Sequence, residues 1–303
     1  MASFVTRRVV FIAMVTVLIV YFTFIGMSMV TNSERAIPNF RLLHHGATAW
    51  DQTQVFFGRL IGGSLGNTVA SGSSLPITEV VKQAYVNSMG LLLVALAVST
   101  LIGLSIGTFA ALTRFRQVLL PLLTLTILGV STPSFVAALL LQQGELRYHQ
   151  AFGRRLVSMG GFGWDYKHML LPVLVLMARP LAYLTRTTFI NLRNILQEHY
   201  IRTANAKGVR RWGILGIHAF RNLAIPVLTA VGVSLRFSLS SLPIVEFFFG
   251  WPGMGLELIK AIDARERTLT AVLALLLGLT FLVFNFLLDV LYRLVDPRLR
   301  EDA

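Results

Sequence analysis

Residues 9–30 read VVFIAMVTVLIVYFTFIGMSMV, an uncharged run of 22 residues that directly follows Arg7 and Arg8. About 20 apolar residues in an α-helix cross the hydrocarbon core of a bilayer, so this run is long enough to span. It is too long for the apolar core of a secretory signal peptide, and no A-x-A-like cleavage site follows it closely. The stretch therefore predicts an uncleaved first transmembrane helix.

The composition of the whole chain supports a membrane protein. Of 303 residues, 55% are hydrophobic and 14% are charged, with a mean hydropathy of +0.69. A soluble domain of this length needs more charge to cover its surface, so the composition predicts an integral membrane protein. The chain has no cysteine, which excludes disulfides, thiol catalysis and cysteine-ligated metals.

Five further apolar segments complete a prediction of six transmembrane helices in a single all-α domain, residues 1–303. These spans are residues 87–113, 117–144, 169–185, 223–245 and 268–288. An even number of spans places both termini on the same side of the membrane. Residues 31–86 form a long exterior loop in which Trp50, Phe56 and Ile61 mark an apolar stretch. That stretch is either an amphipathic segment at the membrane interface or part of a small packed cap.

The distribution of basic residues predicts the orientation. A net charge of +13 is compatible with nucleic-acid binding, but Lys and Arg also gather on cytoplasmic loops, so we expect no nucleic-acid partner. The loop between spans four and five carries one acid, Glu198, and seven bases: Arg186, Arg193, Arg202, Lys207, Arg210, Arg211 and Arg221. The loop after span five mixes acids and bases more evenly. Both termini and the segment 198–222 are therefore predicted to be cytoplasmic.

The basic segment 198–222, EHYIRTANAKGVRRWGILGIHAFRN, predicts a helix, a glycine turn and a second helix. Glu198 and Arg202 have the spacing of an exposed helical ion pair, and Gly208 follows Lys207 as at a helix C-terminus. A second helix is expected from about Val209, with one apolar face: Trp212, Leu215, Gly216, Ala219 and Phe220. Such a hairpin suits docking to another protein or contact with anionic lipid head groups.

The same segment carries a family resemblance. YIRTANAKGVRRWGILGIHAFRNLAIPVLT, residues 200–229, resembles the coupling motif (the EAA loop) of permease subunits in bacterial ATP-binding-cassette importers, in particular the dipeptide/oligopeptide/nickel family. IGLSIGTFAAL at 102–112, VEFFFGWPGMG at 245–255 and FNFLLDVLYRLVDPRLR at 284–300 resemble further motifs of that family. His199 and Asn205 depart from its pattern, and both are expected to face solvent.

The resemblance implies a type I ABC importer permease in a bacterial plasma (inner) membrane. It implies a homologous second permease, with the path between the two, and an extracytoplasmic substrate-binding protein. It also implies two ATP-binding subunits or domains that hold ATP and Mg and receive the coupling hairpin. The residues expected to couple are Glu198, Tyr200, Arg202, Ala204, Lys207, Gly208, Arg221 and Asn222. This chain has no G-x-x-x-x-G-K-[ST] loop, so we expect it to be no enzyme itself.

Charges inside the spans suggest where cargo passes, because such charges usually face a bundle interior or a polar path. Arg236, with Ser240 and Ser241, is predicted to line the path, where the cation binds an anionic substrate or pairs with an acid of the second permease. Arg179 is expected to have a structural role, donating to a carbonyl freed by Pro180. We expect no catalytic or metal site, although His44 and His45 are adjacent.

The resemblance favours di- and oligopeptides as cargo, with nickel chelates, glutathione and oligosaccharides as alternatives. A secondary transporter or channel acting without an ATPase is the alternative of another class. That class typically shows inverted repeats or a relay of intramembrane acids, and neither is visible. A non-transporting membrane scaffold is a third interpretation.

Overall fold

A computed structural model of the chain describes residues 2–31, 41–69, 74–113, 116–210 and 213–295. Nearly all of its elements are helices, which confirms the all-α prediction: α1 Ala2–Thr31, α2 Arg41–Ile61, α3 Ile77–Leu112, α4 Arg116–Ser131, α5 Ser134–Phe152, α6 Tyr166–Ile195, α7 His199–Ala206, α8 Phe220–Phe249, α9 Met254–Asp263 and α10 Arg267–Val295. A π-helix, Ile214–Ala219, leads directly into α8. Strands β1 (Asn67–Thr68) and β2 (Leu75–Pro76) pair antiparallel.

Five helices of the described chain, α1, α3, α6, α8 and α10, are long and apolar enough to span a membrane. A sixth span exists only if the pair α4–α5 is counted as one, because its two helices are bent by 108° at a short break. The prediction of one continuous helix over 117–144 is therefore wrong. Pro133 has no amide hydrogen and disfavours helical backbone at Thr132, so the chain breaks there inside an uncharged run.

The other helices extend beyond their predicted spans, because a helix continues into polar residues after the apolar run has ended. Helix α3 begins ten residues before the predicted 87, and α5 continues to Phe152, inside a stretch predicted to be loop. The predicted exterior loop 31–86 contains helix α2 and the β1–β2 hairpin. In α2, Phe56 is buried against Phe24 of α1, with ring centroids 5.9 Å apart, while Ile61 is exposed. An amphipathic helix thus forms, and its inner face packs on α1.

The chain divides into two compact units. The first unit contains the described parts of residues 1–88 and 252–291. In it Arg8 of α1 forms an ion pair with Asp289 of α10, and the Oγ of Ser88 accepts the first amide of α9, that of Met254, at 2.7 Å. The predicted orientation and the single domain stay predictions.

The second unit contains the described parts of residues 89–251 and 292–297. Helix α6 packs along α8, and the backbone of α3 lies close to α6 at Gly107. A Cβ atom at Gly107 would lie 2.6 Å from the carbonyl oxygen of Thr185, so only glycine permits this approach. At the start of α6, the loop that follows α5 is held by the buried carboxylate of Glu145, which accepts the amides of Leu156 and Val157 at 2.8 and 3.3 Å. At the other end of α6 lies the predicted coupling segment.

Candidate functional site

Helix α7 ends as the sequence predicts. Gly208 has a φ of +75°, in the left-handed region that favours glycine. Its amide bonds the carbonyl of Asn205 at 3.0 Å, and the amide of Val209 bonds that of Ala204 at 3.2 Å. This pair of bonds is the Schellman arrangement, which closes a helix C-terminus and turns the chain sharply away. Gly208 therefore sets the direction in which the chain continues after α7.

The predicted second helix is present, but its start differs from the expected Val209. Residues 209 and 210 are irregular, Arg211 and Trp212 lie outside the described residues, and helix resumes at Gly213. The π-helix that follows is continuous with α8, and the amide of Phe220 bonds the carbonyl of Leu215, five residues back.

The buried side of this helix differs from the predicted apolar face. Leu215, Ala219 and Leu223 are buried together against Leu192, whereas Gly216 and Phe220 are exposed. The prediction assumed α-helical spacing, which placed Gly216 and Phe220 on the apolar face. The buried residues recur at intervals of four, the spacing at which residues lie on one side of a helix.

A small apolar cluster packs helix α7 against the start of the π-helix. Ile201 and Ala204 pack against Ile214 at the start of the π-helix. Ala204, predicted to couple to a partner, is therefore buried inside the segment and stabilises it instead of facing outward. His199 and Asn205 are both exposed, as predicted.

One side-chain hydrogen bond joins the two ends of the segment. The Nδ2 of Asn222, in the first turn of α8, donates to the hydroxyl of Tyr200 on α7 at 2.8 Å. Two residues that the sequence predicts to couple are thus brought together on an exposed surface. The bond ties α7 directly to the helix that carries Arg236.

The remaining predicted coupling residues lie on the outside of this segment. Glu198, Arg202, Lys207 and Arg221 are all exposed. The predicted ion pair between Glu198 and Arg202 does not form, because Glu198 precedes α7 with an extended backbone (ψ 149°) and is not part of the helix. The outer face of the segment is consequently basic, and its cations are available to a partner.

The predicted path residues do not form one group. Arg236 is half-buried, and its Nε has no hydrogen-bond partner among the described residues. Ser240 is exposed and lies one helical turn further along the same side of α8 as Arg236, whereas Ser241 is buried and lies about 140° around the helix from Arg236. Ser241 therefore faces a different neighbour from Arg236.

The bond expected from Arg179 to the carbonyl freed by Pro180 is not formed. Pro180 has no amide hydrogen, so the carbonyl of Leu176 lacks its helical donor. That carbonyl accepts the hydroxyl of Ser238 from α8, at 3.4 Å. The Nε of Arg179 has no partner among the described residues, and its side chain lines a pocket at the α4–α5 break. Sequence reasoning missed this pocket, although Pro133 and Pro180 mark the two places where backbone bonds are lost.

Residues 103–301, about two thirds of the chain, match the family described as the inner membrane component of binding-protein-dependent transport systems. The chain belongs to this family. The permease is therefore a multi-pass protein of the inner membrane and one component of an ABC import system, and permease components are not themselves enzymes.

Relatives of the permease are named for two kinds of cargo. A protein of Brucella abortus (strain 2308), named as a candidate peptide transport system permease, is 32% identical over 232 residues, which are 76% of this chain and 74% of its own. Glutathione transport system permease protein GsiC of Salmonella typhi is 32% identical over 241 residues, 80% of this chain and 76% of its own. The GsiC of Pectobacterium atrosepticum is 32% identical over 246 residues, 81% and 78% of the two chains.

Within the described part of the permease, no three His, Cys, Asp or Glu side chains come together as metal ligands. The side chains of His44, His45 and His218 lie outside the described residues. The chemistry that the described residues offer is instead cationic: the exposed bases around α7, and the arginines Arg179 and Arg236 within α6 and α8.

Proposed function

We propose that this permease forms, with a homologous second permease, the path of an ATP-driven importer of di- and oligopeptides. An extracytoplasmic binding protein delivers the cargo, and two ATP-binding subunits or domains drive the cycle. The peptide cargo is supported by the name of the Brucella relative. In this proposal the basic segment of the permease also contacts anionic lipid head groups.

The hydrogen bond between Tyr200 and Asn222 carries the mechanistic part of the proposal. Exposed residues of the coupling segment, among them Tyr200, Arg202 and Lys207, dock on an ATP-binding subunit. When the two ATP-binding subunits close, α7 moves with its docking partner. Because α7 is bonded to the first turn of α8, its motion reaches the helix that carries Arg236 and Ser241. Access then alternates between two packed states.

ATP and Mg belong to the partner subunits in this proposal. The chain contains no G-x-x-x-x-G-K-[ST] sequence, the loop whose backbone amides cradle nucleotide phosphates. Its own contribution is mechanical: it presents a docking surface on one side and a polar path within the membrane.

Reconstitution of the complete complex in proteoliposomes tests the function. The permease is co-purified with the second permease and the ATP-binding subunits encoded with it, and the binding protein is supplied with a labelled tripeptide. We expect accumulation that requires both ATP and the binding protein. Accumulation by the permease alone would instead show a secondary transporter, and ATP hydrolysis without cargo movement would show a different role.

Glutathione is the second candidate cargo, because two of the relatives described above are named for its transport. Competition separates the two candidates in the same vesicles. If unlabelled glutathione suppresses tripeptide uptake at equal concentration and is itself accumulated faster, glutathione is the cargo. If an excess of glutathione leaves tripeptide uptake unchanged, the peptide assignment stands.

A further inference from the structure

A cavity of about 280 Å³ lies in the first unit, between α2, the later part of α1 and the start of α10. We call it the α2 cavity. A single water molecule needs only about 10–15 Å³ of cavity space, and small-molecule sites typically occupy about 300–1,000 Å³. The α2 cavity is therefore large enough for a ligand of several heavy atoms. Its lining comprises Phe24, Asp51, Gln52, Val55, Phe56, Arg59, Arg267 and Thr268.

The polar part of this lining carries charges of both signs. Asp51 supplies a carboxylate, Arg59 supplies a guanidinium, and Arg267 adds a second cation. Asp51 and Arg59 are eight residues apart on α2, about 12 Å along the helix axis, and they form no ion pair with each other. Opposite charges thus line the α2 cavity at two separate places along one helix, an arrangement that suits a zwitterionic ligand.

Gln52 supplies a further acceptor to the cavity. Its Oε1 is buried and accepts no hydrogen bond from the described residues. A buried acceptor without a donor is unfavourable, and an ammonium group has three N–H donors and no acceptor. Gln52 directly follows Asp51, and both line the cavity, so one ammonium can donate to both side chains.

The α2 cavity lies near the ends of two apolar spans. Phe24 is in the last third of the apolar run 9–30, and Arg267 and Thr268 are the first two residues of α10. Val55 lines the cavity and is 54% exposed. Phospholipid head groups occupy the boundary between the hydrocarbon core and water, and amphipathic helices lie at the same depth. The cavity is therefore at the level of the head groups.

Helix α1, which supplies Phe24 to the cavity, also exposes apolar side chains. Among the five spanning helices it is the least buried within the described chain, and Phe11, Leu18 and Phe22 are all exposed. Acyl chains are as apolar as leucine side chains. A lipid can therefore pack its acyl chains on α1 while its head group occupies the cavity.

We propose that the α2 cavity binds the phosphoethanolamine head group of a membrane phospholipid. Arg59 binds the phosphate, with Arg267 as the second cation, and Asp51 and Gln52 accept hydrogen bonds from the ammonium. A free peptide is also zwitterionic, but only a lipid in addition covers the apolar surface of α1. The bound lipid links α2 to the start of α10 and stabilises the first unit. The site is independent of the cargo that the importer carries.

The test measures lipid binding to the complete complex, purified in detergent and stripped of native lipid. Phosphatidylethanolamine is compared with phosphatidylglycerol, which has the phosphate but no ammonium. Bound lipid is measured by native mass spectrometry over a titration, and the melting temperature is measured on the same samples. The variants are Arg59→Gln and Asp51→Asn. Their matched controls are Arg265→Gln and Asp263→Asn, at exposed residues of the same unit that do not line the cavity.

We expect Arg59→Gln to weaken the binding of both lipids by about tenfold, near the lower limit for a hydrogen bond to a charged group, because the site is partly open to solvent. Asp51→Asn should weaken only phosphatidylethanolamine, by a similar factor. Phosphatidylethanolamine should raise the melting temperature of the wild type and of both controls. Equal effects of Asp51→Asn on the two lipids would remove the ammonium subsite and overturn the proposal. Unchanged binding in both cavity variants would place the lipid elsewhere and also overturn it.

Two competitors decide the source of the ligand. Soluble phosphoethanolamine lacks acyl chains and should displace the lipid only at concentrations at least about 100-fold higher. Displacement at equal concentration by phosphoethanolamine or by a tripeptide would show a site for a soluble zwitterion and contradict the lipid assignment.

Gln52→Leu replaces Arg59→Gln if that variant does not insert. It removes the buried acceptor and should weaken phosphatidylethanolamine binding by about two- to tenfold, without affecting phosphatidylglycerol. Unchanged affinity for phosphatidylethanolamine in Gln52→Leu would count against the site.

Discussion

The side-chain amide of Asn222 donates to the hydroxyl of Tyr200 at 2.8 Å, and this bond joins residues 22 positions apart across the turn at Gly208. It is the direct polar link between the tip of the coupling segment and the first turn of α8. Ile201 and Ala204 also pack on Ile214, which adds an apolar contact between α7 and the start of the π-helix. Both contacts lie between the proposed docking surface and the membrane helices.

Breaking the bond between Tyr200 and Asn222 should weaken coupling without unfolding the protein. A hydrogen bond of this kind contributes about 0.5–1.5 kcal/mol, so Tyr200→Phe and Asn222→Ala should each lower the cargo transported per ATP hydrolysed by about two- to tenfold. The double variant should be no worse than Asn222→Ala alone, because the Tyr200 hydroxyl has already lost this partner there. ATPase activity and uptake are measured in the same vesicles.

Asn205→Ala is the matched control for the Tyr200–Asn222 bond. Asn205 is exposed on the same helix, and its side chain makes no hydrogen bond with the described residues. Its replacement should leave the ratio of uptake to hydrolysis unchanged. Additive losses in the double variant would show that the two side chains act separately.

Replacing Gly208 tests whether its left-handed backbone matters. A Cβ atom there meets no neighbour within 4 Å, so the effect of a larger residue is backbone strain and not a clash. Gly208→Val should strain the turn by more than the roughly 1 kcal/mol typical of ordinary residues, whereas Asn tolerates this conformation. We expect insertion of both variants, uncoupled ATP hydrolysis in Gly208→Val, and near-normal coupling in Gly208→Asn.

Gly216 provides the comparison for Gly208, since it also has open space around it but does not have a positive φ. Gly216→Ala should therefore leave coupling intact. Normal uptake by Gly208→Val would remove the turn from the mechanism.

Gly107 should tolerate no side chain. A Cβ atom at this position would lie 2.6 Å from both the Thr185 carbonyl oxygen and the Thr188 Cβ, so Gly107→Ala must push α3 away from α6. Overpacking of this kind costs about 1–3 kcal/mol, and we expect a lower melting temperature in detergent. Gly144→Ala, where nothing lies within 4 Å, should raise stability slightly. Equal melting temperatures for the two variants would contradict the close approach of α3 and α6.

Glu145 should be needed for the loop between α5 and α6. Its buried carboxylate accepts the amides of Leu156 and Val157, and a buried donor left without an acceptor costs about 1–3 kcal/mol. Glu145→Leu should therefore lower the melting temperature and expose the loop to protease. Glu145→Gln retains an oxygen acceptor and should lie between wild type and Glu145→Leu. Identical protease sensitivity of the Leu and Gln variants would argue against the role of the carboxylate.

The sequence predicted what depends on local composition. Apolar runs located the spans, and the order of Lys207 and Gly208 predicted the end of α7, because a glycine in the left-handed region is a local backbone requirement. The coupling motif named Tyr200 and Asn222 as expected coupling residues, without predicting that they meet. Their hydrogen bond itself was not predicted, since it depends on how two distant turns pack.

Features that depend on how helices cross were missed. Residues 117–144 are apolar without interruption, so their hydropathy does not predict the 108° bend at Pro133. The sequence predicts a hydrogen bond from Arg179 to the carbonyl freed by Pro180. That carbonyl accepts instead from the hydroxyl of Ser238, on another helix. Glu145 follows the end of the predicted span at residue 144 and is therefore expected in a loop. Helix α5 instead continues past it, and its carboxylate is buried. In each case the deciding partner lies far away in the chain.

The π-helix at Ile214–Ala219 sets the rotational phase between α7 and the helix that carries Arg236. A π turn holds one residue more than an α turn, and one residue corresponds to about 100° of rotation around a helix. Deleting a single residue from this turn would let it wind as an ordinary α-helix. Because the shortened turn would still complete one revolution, α7 would keep its rotational position relative to α8, whereas deleting one residue from an α-helical turn of α8 would rotate α7 by about 100°.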